Sequence, residues 1–576
     1  MIGLVMCLVL LNEDPFFETE EERDFEVILR DIEDLRNNPI DINVADIVAL
    51  SRIPYLSLTD CLRIINHREE YGPFRSLDDV LNIQGFDPPL LSIIRPFIIV
   101  AAKPFTVEKV TTRIRLNTEI PPQKNSLKYY TRTQCVVGQY TLSLVTEKDP
   151  YESSFFDYYG AGMVIDEGKR KIALGKYNLD LGSGVVLSTV GSFFRSADFH
   201  VMTHERGIVP YTSSLENGGF FGAAISDSLF FDYTLFYSNQ KLDGRVDSLG
   251  FASSFDESGK HADSASLSRK DRIGEELFGY DIRYRFSNLL ISQRSYWCTY
   301  DPAFVARDSL TQFYGKHFLI SGIGITYFGD QLVVFSEWAR THRNRIGGLF
   351  GFSGFFPYFD FNCAGRYFPA GFYSPKGVES DDDYVGGTVD LRHHSPIADI
   401  GATVTIDNKT EEDSVKYGLR LNAEKKIGIV SARVQVRWRY REEVKDLSGS
   451  RVFVRVTPLR MLFFDFRFEE KYVYGETAFE KGIFGAVELG VEYKGLRLRV
   501  RYGLFDTDSY ASRIFAYETD LPGILNNRML YYEGSYGFVY CSFAPVKKLR
   551  LSLKYSIVKR DALTSKQFGC QVDGRL

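Results

Sequence analysis

The sequence predicts a small all-α domain followed by a large antiparallel transmembrane β-barrel of about 22 strands, and three observations carry that prediction. After about residue 105, short segments of alternating apolar and polar residues follow one another to the last residue, the period-two pattern of strands with two unlike faces. The connections between them alternate between tight and long. Aromatic residues make up 15% of the 576, with 35 Tyr and 46 Phe, an excess that girdles of aromatics at two membrane interfaces account for.

The elements follow in order. Residues 1–11 are apolar and resemble the core of a secretory signal whose start is truncated or mis-assigned, since a positive n-region and a small-residue cleavage site are missing. The stretch is too short to span a bilayer as a helix, and no run of 18 apolar residues occurs elsewhere, so a membrane would be crossed by strands. Residues 16–37 read as an acidic amphipathic helix with Phe25, Ile28, Leu29, Ile32 and Leu35 on one face. Asn43 is placed to N-cap a helix carrying Ile47, Val48 and Leu50. Helical stretches near 58–70, 76–82 and 88–95 follow, the first two separated by the stop-and-turn signal Tyr71-Gly72-Pro73-Phe74. These make one helical domain over 16–100, a linker over 101–107, and a barrel over 108–576.

Charge separates the two parts. Residues 12–100 hold 19 Asp and Glu against 8 Arg and no Lys, a net of −11, and the remainder is net +5, giving the −6 of the whole chain. The seven cysteines are scattered without CxxC spacing, which argues against a disulfide framework or a zinc site and leaves them as small apolar fillers.

The segments Asn38-Pro39-Ile40-Asp41-Ile42-Asn43-Val44-Ala45, Ile53-Pro54, His67-Arg68-Glu69-Glu70-Tyr71-Gly72-Pro73-Phe74-Arg75-Ser76-Leu77-Asp78-Asp79-Val80, Gly85-Phe86 and Arg95-Pro96-Phe97 resemble a tandem helix-hairpin-helix domain of the competence DNA-receptor type. Further on, Leu174-Gly175-Lys176-Tyr177, Gly182-Ser183-Gly184-Val185-Val186-Leu187 and Gly207-Ile208-Val209-Pro210-Tyr211-Thr212-Ser213 are similar to bacterial envelope proteins that join such a domain to an outer-membrane barrel. The resemblance implies an architecture and no reaction. Helix-hairpin-helix units hold phosphate on hairpin N–H groups that glycines leave open. Here the first hairpin, Ile53-Pro54-Tyr55-Leu56-Ser57, has neither glycine, and the second keeps Gly85 but has Asp87 at the other place. With a net charge of −11 the footprint of a DNA binder is missing, so docking a periplasmic protein or gating the lumen is favoured over DNA binding. Were DNA bound, Gly85, Arg63, Arg68, Arg75 and Arg95 would carry it; otherwise the arginines pair with Asp60, Glu69, Glu70 and Asp78.

Within the barrel, Leu496-Arg497-Leu498-Arg499-Val500-Arg501-Tyr502 shows the alternation, as do Leu549 to Ser556 and Tyr280 to Phe286. A barrel turns such apolar faces to lipid and the charged ones to a wet lumen. Tight turns fall at Asp227-Ser228, Ser287-Asn288, Gly329-Asp330 and Lys494, and long polar loops at about 239–276, 299–315, 341–383 and 506–532. Short periplasmic turns, long outer loops and an even count are the habit of outer-membrane barrels, with the helical domain left in the periplasm. Residues 188–218 show no clean strand and are read as a segment folding into the lumen. Arg433, Arg437, Arg439, Arg497, Arg499 and Arg501 are lumen-facing. They would favour anions in an open pore, or else pair with Asp465, Glu469, Glu488 and Glu492.

Other chemistry finds little support. His200 and His204 have helical ligand spacing but no third ligand, and Glu379 with Asp381, Asp382 and Asp383 reads as a solvated loop, so no metal and no cofactor is expected. Nothing marks a catalytic base, and Gly182-Ser183-Gly184 lacks the nucleophile-elbow pattern, so an enzyme is not expected. The expected function is a non-enzymatic pore, receptor or anchor, with DNA uptake as the alternative and a barrel-embedded hydrolase third. The expected partners are outer-membrane lipid and a periplasmic protein; the sequence leaves oligomeric state open.

Overall fold

The structure, a computed structural model, describes residues 35–36, 39–45, 49–50, 52–53, 56, 58–83, 86, 88–100, 107–168, 170–188, 205–256, 259–305, 313–329, 331–356, 358–377, 384–393, 395, 397–409, 414–441, 446–474, 479–524, 526–546, 548–560 and 563–576. Most of the acidic helix expected over 16–37, and the signal-like residues 1–11, lie outside them.

In the helical region, the helix Leu58–Tyr71 is followed by a 3-10 turn, Leu77–Asn82, and a short helix, Pro88–Ile94. Gly72, at φ +89°, ends the first helix in the left-handed conformation that costs glycine least. Asp79 starts the next turn by accepting the Ser76 N–H at 3.0 Å and its hydroxyl at 2.8 Å. Those bonds and the Arg75 N–H hold its carboxyl below the usual range. Pro88 sits at the first helical position, where its missing N–H costs nothing. Ile40–Asp41 pairs in parallel with Ile98–Ile99, closing the unit over Ile42, Leu50, Ile53, Ile64, Val80, Ile94 and Phe97, all buried. Residues 46–48 of the helix that Asn43 is expected to cap lie outside the described residues. Asn43 clamps the Tyr71–Phe74 turn. Its side-chain amide donates to the Phe74 carbonyl at 3.0 Å and accepts the Phe74 N–H at 2.8 Å.

From Val107 on, the chain forms a closed antiparallel barrel of 24 wall strands among the described residues. It closes where Val107–Glu119 pairs with Leu563–Arg575, in the register Thr111 opposite Arg575 to Glu119 opposite Gln567. Every strand expected from the alternation is present, and two more correct the count of 22: Ile346–Phe355 and Phe359–Phe368, within the span assigned to a loop at 341–383. Gly347, Gly348, Gly351, Gly354 and Gly365 made that span read as a breaker-rich loop. In the barrel these glycines make room for rings: a Cβ on Gly351 would lie 2.2 Å from the Phe335 ring, and one on Gly365 2.4 Å from Phe350. Tight turns gather at the end where the wall begins and finishes, and long connections at the other.

The two faces of the wall differ as the alternation requires. Tyr502, Leu504, Phe278, Tyr284, Phe350, Leu551 and Leu553 point outward and are exposed, while Asp281, Arg499, Arg501 and Lys554 point inward and are buried. A soluble protein rarely leaves an apolar surface of that extent in water; in a bilayer it meets hydrocarbon, as in outer-membrane barrels. No described helix is long and apolar enough to cross a membrane.

The sequence leaves open whether inner charge lines a channel or is paired; among the described residues the inner wall is covered on two sides by the chain itself, on one of them by part of the span 188–218 read as folding into the lumen. Residues 181–188 and 205–219 lie against one side, where Leu181, Val185, Val186 and Leu187 pack in one buried cluster with Phe318, Phe335, Leu349 and Phe372. Within the span 506–532, expected as an outer loop, the chain forms the hairpin Ile514–Glu518 with Asn526–Leu530. Its Ile514, Ala516 and Leu530 are buried against Phe484, Phe505, Tyr536 and Phe538.

Candidate functional site

The charged inner wall is built by strand alternation, which places a polar side chain at every second residue facing the lumen. The strand Leu496–Thr507 contributes Arg499 and Arg501, and its neighbour Phe479–Tyr493 contributes Glu488. Arg501 bonds the Glu488 carboxylate at 2.6 Å through Nη2 and 2.7 Å through Nε, and donates through Nη1 to the Tyr517 carbonyl of the inner hairpin at 2.5 Å. Arg499 lies 3.3 Å from Glu488 and 3.7 Å from Glu492. Arg497 faces inward beside them, half-buried.

Arg433, Arg437 and Arg439 share the inward face of Val430–Arg441, where Arg433 pairs with Glu424 at 2.7 Å. Three strands stand between this group and Arg499, about 19 Å round the wall at the usual strand spacing, so the six arginines do not form one cluster. The acids on those intervening strands have partners of their own: Asp465 with Arg455 at 2.6 Å, and Glu469 with Arg451 at 2.7 Å and Arg467 at 2.6 Å.

Wall charge also holds the inward segments. Lys554 bonds Glu518 at 2.8 Å and Asp520 at 2.6 Å on the hairpin, Arg467 donates to the Phe515 carbonyl at 2.8 Å, and Arg115 to the Pro522 carbonyl at 2.7 Å. On the opposite side Glu337 accepts the Ser183 N–H at 2.6 Å and pairs with Arg294 at 2.8 Å, and Arg294 in turn donates to the Leu181 carbonyl at 3.0 Å. Gly182 is required there, because its φ is +66° and a Cβ would lie 1.5 Å from the Arg294 guanidinium. The motif Gly182-Ser183-Gly184 is thus the contact between an inner segment and the wall.

In the helical region Arg63 lies 3.3 Å from Asp60 and Arg95 contacts Asp78. Arg68 donates to the Ile42 carbonyl at 2.6 Å, and Arg75 is exposed at the turn before Leu77–Asn82. Gly85 and Asp87 lie outside the described residues, as do His200, His204, Glu379 and Asp381 to Asp383.

One cluster escaped the sequence reading. At the long-loop end, three connecting segments converge on His261: 149–157, 211–219 and the long loop that begins at Asp243. The His261 ring is 2% exposed; Nδ1 contacts the Asp157 carboxylate and lies 3.7 Å from Glu216, and Nε2 is 3.0 Å from Asp243. Lys270 stands 2.8 Å from Asp157. Burial works against the imidazolium, but the bonded carboxylates of Asp243 and Asp157 outweigh it and raise His261 to about 9. Burial also pushes Glu216 up to about 9, against the pull of His261. No signal in the sequence could have joined these residues: Asp157 is 104 positions from His261.

Residues 36–99 match a family model for the helix-hairpin-helix motif. No curated protein matches the chain. Among solved structures, a ferric enterobactin receptor of Pseudomonas aeruginosa is similar at 8% identity and TM-score 0.42, over 83% of this chain and 82% of that one. The siderophore receptor PirA of Acinetobacter baumannii matches at 8% identity and TM-score 0.39, over 83% and 82%. A P pilus tip assembly intermediate of E. coli matches at 10% identity and TM-score 0.40, over 82% and 62%. The chain joins a region matching the helix-hairpin-helix motif to a closed antiparallel β-barrel.

Proposed function

We propose that this protein is a loop-filled, non-conducting outer-membrane barrel of the receptor or anchor kind, whose helix-hairpin-helix domain docks a protein on the periplasmic side. The observation that carries this reading is the use of the inner charges: Arg501, Arg467, Lys554 and Glu337 are each engaged with backbone or side chains of the inward-folded segments. Charges engaged in this way are desolvated and fixed, so they serve as attachment points for a filling rather than as the lining of an anion path. Wall and filling have no need of a reacting group, and the reading assigns none.

Docking is preferred to DNA capture on electrostatic grounds. Residues 12–100 carry a net charge of −11, and Arg63 and Arg95 sit on Asp60 and Asp78. A domain of that balance repels a polyphosphate backbone. Two measurements test the proposal. In planar bilayers the whole protein is expected to give no steady current, and deletion of residues 509–531 to give one; steady ohmic current from the intact chain overturns it. In nanodiscs the whole protein is expected to leave duplex DNA unbound at about 100 μM and 50 mM salt, a range in which non-specific binders engage; salt-sensitive binding there would favour DNA uptake.

A further inference from the structure

We propose that Glu216, Asp243 and His261 form a binding site for one first-row divalent cation of the zinc class, which fastens two long-loop connections together over the end of the barrel. Two overlapping sets of side chains at this place bring one donor atom of each member within 4.8 Å of the others: Glu152, Asp157 and His261, and Glu216, Asp243 and His261. The first set is already in use. The Glu152 carboxylate accepts the Asp149 N–H at 2.7 Å and the His261 N–H at 2.9 Å, and Asp157 is neutralised by Lys270 at 2.8 Å. The second set has two carboxylates facing one imidazole, with side-chain exposures of 12%, 5% and 2%. Within this volume three carboxylates, Asp157, Asp243 and Glu216, are set against Lys270 and His261.

The surrounding groups orient these donors as outer-shell partners orient metal ligands. Asp157, anchored by Lys270, contacts His261 Nδ1 and orients the ring, so that Nε2 would be the ligating nitrogen once an ion displaces its proton, the arrangement of a carboxylate–histidine–metal triad. Asp243 is held by its Oδ1, which accepts the Asp271 N–H at 2.8 Å, and by its own N–H, which donates to Asn217 Oδ1 at 2.7 Å. Its Oδ2 is thereby aimed at His261 Nε2, 3.0 Å away. Gly259 packs over Glu216, and a Cβ there would lie 3.2 Å from its Cγ. One imidazole with two carboxylates suits zinc and its neighbours and disfavours calcium, which takes oxygen ligands.

The ligands come from separate connections, Glu216 from the segment after the strand Gly207–Pro210 and Asp243 and His261 from either end of one long loop, so an ion would cross-link backbone that the barrel wall does not join. The test uses the whole protein in detergent, stripped with chelator and dialysed against zinc or cobalt. One ion per chain is expected, with a cobalt visible spectrum typical of mixed nitrogen and oxygen ligation, and slower proteolysis of residues 243–272. His261→Gln should weaken binding at least a hundredfold and Glu216→Gln at least tenfold. Asp157→Asn should cost roughly 10–100-fold while preserving stoichiometry. Barrel integrity in each variant is read from heat-modified gel mobility, so loss of binding in a folded barrel separates a missing ligand from a missing fold. Failure to retain zinc at about 1 mM, equal retention by folded His261→Gln, or preference for calcium would each overturn the proposal.

Discussion

Removing Glu518 is expected to loosen the inner hairpin without unfolding the wall. Its carboxylate is wholly buried and accepts from Lys554 at 2.8 Å, Arg528 at 3.1 Å and Asn526 at 2.5 Å. Breaking a buried pair by deleting one partner costs about 3–5 kcal/mol, because the other charge is left uncompensated. Lys554 keeps Asp520 at 2.6 Å, which places Glu518→Ala near the lower figure. The hairpin retains Ile514 and Leu530, about 1.5–3 kcal/mol each for full burial. It also retains the charged hydrogen bonds from Arg501 and Arg467, about 1.5–3 kcal/mol each. A loss of about 3 kcal/mol therefore leaves it docked but raises its open population about a hundredfold, at 1.4 kcal/mol per decade. Hydrogen exchange should show amides of residues 514–530 exchanging about a hundredfold faster, with the wall strands Leu496–Thr507 and Leu549–Arg560 unchanged. Exchange within about threefold of the parent would refute the view that wall charge anchors the hairpin, and a uniform rise would mean that the hairpin and wall are one cooperative unit.

Three further outcomes are expected. Glu337→Ala removes the acceptor of Ser183 N–H and the partner of Arg294, at about 3–5 kcal/mol, so limited proteolysis should cut at 181–188 where the parent resists. Metal-free protein should loosen at its long-loop end as pH rises. His261 and Glu216 both titrate near 9 when folded, above their ordinary 6.5 and 4.5, so the folded cluster favours their protonated forms. Its stability is full below the lower values and falls as pH climbs through about 9. Protease sensitivity of residues 243–272 should rise over that interval and not fall. On the outer face, Val436→Arg should cost about 2–4 kcal/mol in urea unfolding from lipid, near the value for a charge at the bilayer midplane.

Much of the wall was legible because alternation is a local property. Leu551 and Leu553 outward with Ser552 and Lys554 inward could be read directly from the sequence. Ile346–Phe355 was not legible, because glycines opposite Phe335 and Trp338 look like breakers until their neighbours across the sheet are known. The inner hairpin was also hidden. A stretch whose Glu518 and Asp520 meet Lys554 of the wall, and whose Arg528 reaches Ser556 and Gln567, reads, on its own, as a solvated loop. Arg499 and Arg501 could be assigned an inward direction, but their hold on Glu488 and Tyr517 depends on register and on a segment folding back. The His261 cluster depends on three connections meeting, and no local pattern encodes that.

The account rests on hydrocarbon covering the outer face of the wall, and the chain carries its own reporters. Its three tryptophans, Trp297, Trp338 and Trp438, all point outward from the barrel at exposures of 37%, 39% and 43%. Reconstituted into bilayers with brominated acyl chains, the protein should lose most of its tryptophan fluorescence and resist quenching by aqueous iodide. Full emission in brominated lipid, with ready quenching by iodide, would contradict the membrane assignment.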